Sequence, residues 1–232
     1  MGEESTVRLL VVEDSATLAD ALLFAFGFED GIEPVGVAAT VEQALEMVVA
    51  EKPDVVLMDV RLPDGSGIAA VSQVVALRPE TPVIIMTAHA DHLVALEAAE
   101  AGAAGFLLKD VRITKIVGGV RLVVAGGLAV DPAVLQSVLN EAQAGGPDAS
   151  SVDATTPALT AAEREIITLL ADGLDRPAIA GRLGLDENQV DAIMAAVRAR
   201  LGARSNLEAV VVAARARLFR RPDQGSTRIS NR

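Results

Sequence analysis

The 232-residue chain contains no cysteine. That excludes disulfides and thiolate metal sites, and it fits a reducing compartment. It has only two histidines, His89 and His92, with no third soft ligand near them, so a histidine metal site is not expected. The N-terminus, MGEESTVRLL, is acidic and lacks the apolar stretch of a secretory signal. No long run is free of charge. The most apolar window, Ile113 to Val130, carries Lys115 and Arg121. A charge at a bilayer centre costs roughly 2.5–3.5 kcal/mol, so this window does not read as a membrane span. No internal repeat is present. The expected setting is the cytoplasm.

Apolar residues make up 51% of the chain, enough for a sizeable core. Charge is divided unevenly. Residues 1–155 carry a net −15 and residues 156–232 a net +3, which suggests two domains, the second near nucleic acid. Six of the second half's arginines lie at 215–232, however, past most of its folded pattern.

Short apolar runs alternate with helical patterns through the first half. Strands are expected at Val7–Val12, Pro34–Ala38, Asp54–Met58, Val83–Met86 and Ala104–Leu108, each followed by a helix. Thr40 and Gln43 read as a capping box. Five such units with apolar strands mean a parallel sheet covered on both faces. Asp131-Pro132 opens a further helix, and residues 143–158 have a linker's composition. Helices are then expected at 161–171, 177–183, 187–201 and 205–218, stopped by Gly173, Gly184 and Gly202, with a frayed tail at 223–232.

In an open parallel sheet, ligands bind beyond the carboxyl ends of the strands. Glu13 and Asp14 follow the first strand, Asp59 the third, Thr87 the fourth and Lys109 the fifth. Three clustered carboxylates repel one another unless a cation neutralises them, and hard oxygens with room for water suit Mg²⁺. A carboxylate beside Mg²⁺ can attack a phosphoryl group to form an aspartyl phosphate. Positioning and charge neutralisation, the latter shared with Lys109, drive such a transfer, and a hydroxyl at Thr87 can bond a phosphoryl oxygen. A haloacid-dehalogenase-type phosphatase would need a second aspartate at position 61, where Arg61 stands, so an enzyme is not expected.

The Glu13-Asp14 pair, the segment Asp59-Val60-Arg61-Leu62-Pro63-Asp64-Gly65-Ser66-Gly67, Thr87-Ala88 and Gly105-Phe106-Leu107-Leu108-Lys109 resemble the receiver domain of two-component response regulators. The resemblance implies a flavodoxin-like α/β fold with a five-stranded sheet ordered 2-1-3-4-5, and Asp59 as phosphoacceptor. It also implies Mg²⁺ held by Glu13, Asp14, Asp59 and the Arg61 carbonyl. Thr87 and Lys109 would be the switch hydroxyl and the phosphate-binding lysine, and Phe106 an aromatic switch swinging inward. A sensor histidine kinase would be the phosphodonor. Lys109 is followed by Asp110 where many receivers have proline.

Residues 159–166 (LTAAEREI) and 178–185 (AIAGRLGL), with Val190, Leu201-Gly202-Ala203-Arg204 and Glu208-Ala209-Val210, resemble the four-helix LuxR-type helix-turn-helix domain. Together the two matches place the chain near the NarL/FixJ subfamily. The expected divisions are a receiver over 1–125 (core 6–125), helix and linker over 126–158, the helix-turn-helix domain over 159–220, and a tail over 221–232. The recognition helix would be 187–201, with promoter DNA met by Arg176, Asn188, Gln189, Arg198 and Arg200, and a homodimer formed through the last helix. The reading face is poor in donors: Asp191 stands where the family usually has lysine, and Ile193 where it often has histidine. Two outputs therefore stay open, DNA binding or, alternatively, docking of a protein on the apolar face of Ala192, Ile193 and Ala196 or on the last helix.

Overall fold

The structure is a computed structural model and describes residues 6–89, 91–144 and 158–219. The first half alternates strands and helices: β1 (Val7–Val12), α1 (Ala16–Phe26), β2 (Ile32–Ala38), α2 (Val41–Glu51) and β3 (Val55–Asp59). A two-residue pair, β4 (Arg61–Leu62) and β5 (Gly65–Ser66), leads into α3 (Gly67–Leu77). Then come β6 (Val83–Thr87), α4 (His92–Glu100), β7 (Gly105–Leu108), α5 (Ile113–Val124), β8 (Ala129–Val130) and α6 (Pro132–Ala144). The second half is helical: α7 (Ala161–Ala171), α8 (Arg176–Leu183), α9 (Glu187–Leu201) and α10 (Asn206–Arg215).

The main sheet is parallel, in the order β2-β1-β3-β6-β7-β8. Five of these strands are those expected, in the expected order. The sixth, β8, corrects the count: Ala129 and Val130 pair with Gly105 and Phe106. Two residues carry no periodicity, and only the turn at Gly126, with φ of 80°, brings them alongside β7. Strands β3 and β6 are buried at every position, as strands with helices on both faces must be. A parallel sheet in this register brings the carboxyl ends of β1, β3, β6 and β7 to one edge, where the site lies.

Local chemistry sets the helix ends. Thr40 Oγ1 accepts from Gln43 N at 3.2 Å, but Gln43 Oε1 accepts from Ala39 N rather than from Thr40, so the capping box expected there closes on one side only. Complete boxes cap α7 (Thr160 with Glu163) and α9 (Asp186 with Gln189). Left-handed glycines, Gly184 and Gly202, end α8 and α9. Helix α10 spans Asn206–Arg215, shorter than the expected 205–218. The tail expected at 223–232 and most of the linker fall outside the described residues.

One glycine determines where the site can form. A Cβ on Gly67 would lie 1.8 Å from the carbonyl oxygen of Asp59. The Gly67 amide donates to Val60 O at 2.8 Å, which pulls the start of α3 under the end of β3. Gly67→Ala is expected to cost stability at or beyond the upper end of the roughly 1–3 kcal/mol typical of overpacking, since the clash is with backbone. Urea unfolding of the full chain checks this, and an unchanged midpoint would contradict the contact.

Candidate functional site

Each residue at the sheet edge is placed by the backbone of its neighbours. Val60 N donates to Met86 O at 3.0 Å and Lys109 N to Thr87 O at 2.7 Å, so the ends of β3, β6 and β7 are tied side by side. Glu13 N donates to Ala38 O at 2.9 Å, fixing the end of β1 against β2. The turn after β3 is anchored from the other side. Asp64 accepts from Val41 N at 2.8 Å and Glu42 N at 3.1 Å, the free amides at the start of α2. The bond from Val41 is the main cause that holds the Asp64 carboxyl below the usual aspartate range.

Glu13, Asp14 and Asp59 are brought together, each offering an oxygen within 4.8 Å of the others. Glu13 is 2% exposed and Asp59 7%, while Asp14 opens to solvent. The Lys109 ammonium lies between the two buried carboxylates, 2.6 Å from Glu13 Oε2 and 2.7 Å from Asp59 Oδ2. Burial alone would lower the Lys109 pKa, but the adjacent Asp59 and Glu13 carboxylates outweigh it and hold the pKa above the ordinary lysine value. Lys109 is therefore cationic across the neutral range. Its contribution to stability is present below the ordinary lysine pKa and lost only as pH rises through the raised one.

One ammonium cannot balance three carboxylates. The cluster keeps an excess of two negative charges, and Glu13 Oε2 meets the ammonium at ion-pair distance without forming a well-directed hydrogen bond. Hard, underpaired oxygens facing a partly open mouth are what a divalent cation with retained water requires. Arg61 lies in β4, two residues past Asp59, with its side chain exposed. Thr87 is buried, and its Oγ1 accepts from His89 N at 3.3 Å. The side chain of His89 is exposed. Phe106, expected to swing inward, is already inside at 2% exposure, packed in the core beneath the site.

The second candidate surface is α9. Asn188, Gln189, Asp191, Ala192, Ala195 and Ala196 are exposed along it. Gln189 is tied to the cap of its own helix. The expected arginines are occupied within the domain: Arg176 bonds Glu187 at 2.9 Å and Asp191 at 3.1 Å, and Arg200 pairs with the buried Glu163 at 3.3 Å. Arg198 is half-buried against Asn206, and burial lowers its pKa from the ordinary arginine value. Asp191 thus pairs with Arg176 instead of standing alone, which no reading of charges along the sequence reveals.

Residues 9–121 match the response regulator receiver domain family, and residues 157–213 match the luxR family of bacterial regulatory proteins. A probable transcriptional regulatory protein NarL of Mycobacterium tuberculosis is 32% identical over 213 residues, covering 92% of this chain and 96% of that one. The DNA-binding transcriptional activator DevR/DosR of the same organism is 29% identical over 219 residues, covering 94% and 99%. Among solved structures, a LuxR-family two-component response regulator from Aurantimonas sp. SI85-9A1 is 28% identical, with a TM-score of 0.55 over 59% of this chain and 98% of that one. This chain belongs to the NarL/FixJ subfamily of two-component response regulators.

As a response regulator it carries a receiver fold with an acidic pocket and a LuxR-type helical domain. No described helix is long and apolar enough to cross a membrane. Sequence reasoning placed the charged groups at the pocket by strand order alone. It missed Asp64 and Gly67 as the residues that hold the Asp59 loop in place. Their signal was the Pro63-Asp64-Gly65 turn, which announces a hairpin but not its anchor.

The unbalanced carboxylates yield a test. Millimolar Mg²⁺ at about tenfold over its Kd is expected to stabilise the full chain by about 1.4 kcal/mol, or about 3–5 °C in Tm. Glu13→Gln should shrink the shift, because the ligand set loses a charge. A thermal midpoint that does not move with Mg²⁺ would contradict a cation site here.

Proposed function

We propose that Asp59 is the phosphoacceptor, that a sensor histidine kinase supplies the phosphoryl group, and that the phosphorylated chain regulates transcription by binding promoter DNA as a homodimer. The observation that supports this most is the Lys109 ammonium within ion-pair distance of Asp59, beside two further carboxylates. In this reading the Asp59 Oδ atom that faces the pocket mouth attacks phosphorus, and the donor's histidine nitrogen leaves. Lys109 then exchanges a carboxylate partner for a phosphoryl oxygen and keeps its charge. Glu13, Asp14, Asp59 and the Arg61 carbonyl would hold Mg²⁺, which when bound neutralises charge on the transferring group. Thr87 would read the result by turning its hydroxyl from the His89 amide toward the phosphoryl oxygen. The role of Phe106 would be to fill the core behind it, with no inward swing required. The setting is cytoplasmic, and the receiver is taken as residues 1–125 and the output domain as 159–220.

For DNA, α9 offers Asn188 and Gln189 for base edges, and the half-buried Arg198, the exposed Arg200 and Arg176 at the start of α8 are the arginines for phosphates. Those arginines are shared with Glu187, Asp191, Asn206 and Glu163, so binding costs their internal bonds. We therefore expect weak affinity with a shallow salt dependence. Asp191→Lys removes a carboxylate from the face, adds a cation and frees one side of Arg176. It should strengthen binding to all sequences and steepen the salt slope by about one to two. Gel shifts of the full-length protein with genomic fragments, with and without acetyl phosphate, test the whole reading: phosphorylation should tighten binding. Absence of binding in both states would overturn the DNA output in favour of a protein partner on Ala192, Ile193 and Ala196.

A further inference from the structure

At the amino-terminal edge of the sheet, opposite the acidic pocket, the chain forms a second concave site. Val7 and Ile32 open β1 and β2 and pair side by side, and Val124 closes α5, which starts shortly after Lys109 and runs to this edge. A cleft of about 360 Å³ lies between them, and Arg176 of the second domain contributes to its wall. Arg176 N donates to Ala125 O at 3.0 Å, which fixes the two domains against each other at this point. The volume falls within the range of small-ligand pockets, about 300–1,000 Å³.

The lining is apolar with a few charged groups, the usual make-up of a small-molecule site. Val7, Ile32, Val120 and Val124 supply the apolar surface, and Asp30, Arg121 and Arg176 the charge. Ile32 and Val120 are buried, while Val7 and Val124 are partly open. The turn at Gly31, with φ of 77°, leads into β2, and Val7 N donates to Gly31 O at 2.9 Å. A Cβ on Gly31 would meet nothing within 4 Å, so space lies open beside it.

The charged groups are only partly spent. Arg121 Nη2 donates to Glu29 Oε2 and to Asp30 O, both at 2.9 Å. These bonds hold the guanidinium at the rim and leave its Nε and Nη1 without an acceptor among the described residues. Arg176 engages Glu187 through Nε and Asp191 through Nη1, which leaves Nη2. The Asp30 carboxylate forms no ion pair among the described residues. Unused donors of two guanidiniums and one unpaired carboxylate therefore meet on an apolar wall. A ligand with negative charge alone is repelled by Asp30, and one with positive charge alone by both arginines. A zwitterion with adjacent carboxylate and ammonium suits both, and its carboxylate takes charge-assisted hydrogen bonds from the guanidiniums. The apolar wall in turn favours an apolar body.

We propose that this cleft binds a free α-amino acid with an apolar side chain. The carboxylate lies between Arg121 and Arg176, the ammonium against Asp30, and the side chain on Val7, Ile32 and Val124. Arg121 belongs to the receiver and Arg176 to the output domain, so the bound amino acid bridges them. The chain thereby takes a small-molecule input at a place distinct from Asp59, one that needs neither Mg²⁺ nor a phosphodonor.

The probe is L-leucine, titrated into the isotope-labelled, unphosphorylated full-length chain while its backbone amide resonances are followed. Saturable shifts at Gly31, Ile32, Ala125 and Arg176 are expected, with a Kd of about a millimolar. Isocaproate, which is leucine without the ammonium, and isoamylamine, which is leucine without the carboxylate, should each bind about tenfold or more weakly. Arg121→Gln and Arg176→Gln should each weaken leucine by about fivefold or more without weakening isoamylamine, and Asp30→Asn should weaken leucine without weakening isocaproate. All three side chains reach solvent, so resonances far from the cleft should stay in place and report an intact fold. The site is overturned if leucine gives no saturable shift up to about 10 mM, if the shifts centre on other residues, or if either truncated probe binds as tightly as leucine. Wild-type affinity for leucine in Arg176→Gln would overturn the bridge between the domains.

Discussion

The ammonium of Lys109, at ion-pair distance from both Glu13 and Asp59, is the interaction on which the rest of the structure turns. Two buried carboxylates at the end of neighbouring strands would be untenable without it. Breaking the pair would leave charge stranded in the sheet edge, so the register of β1, β3 and β7 and the electrostatics of the pocket are one constraint. The same arrangement is deliberately incomplete in charge. One cation for three carboxylates holds the edge together, yet leaves oxygens that suit a divalent ion.

Much of this was legible in the sequence, because strand order converts position along the chain into position in space. Glu13, Asp14, Asp59, Thr87 and Lys109 each sit just past or at the end of an apolar run, and a parallel sheet can only gather such residues at one edge. What could not be read depends on contacts between elements distant in sequence. Strand β8 is two residues long and exists only because Gly105 and Phe106 offer an unpaired edge. Gln43 chose Ala39 over its own cap residue. The arginines of the second domain looked like free cations, but Arg176, Arg198 and Arg200 each found a partner within the domain. Charge patterning reports how many charges a segment has, not which of them are spent.

That distinction shapes the output domain. Its helices are capped and closed like any four-helix unit, with Thr160–Glu163 and Asp186–Gln189 boxes and glycine stops. The scaffold is thus well specified, while its exposed reading helix is short of cations. A domain of modest intrinsic DNA affinity gains most from being paired, since two weak half-sites act together.

If Asp59 is the group that accepts phosphate, mass spectrometry will find the phosphoryl group there. Full-length protein is incubated with acetyl phosphate and Mg²⁺, trapped, digested and mapped beside Asp59→Asn. A single phosphoryl group on the peptide carrying Asp59, absent from the variant because an amide is a poor nucleophile, is the predicted result. Equal labelling of Asp59→Asn, or a phosphoryl group on another residue, would contradict the account.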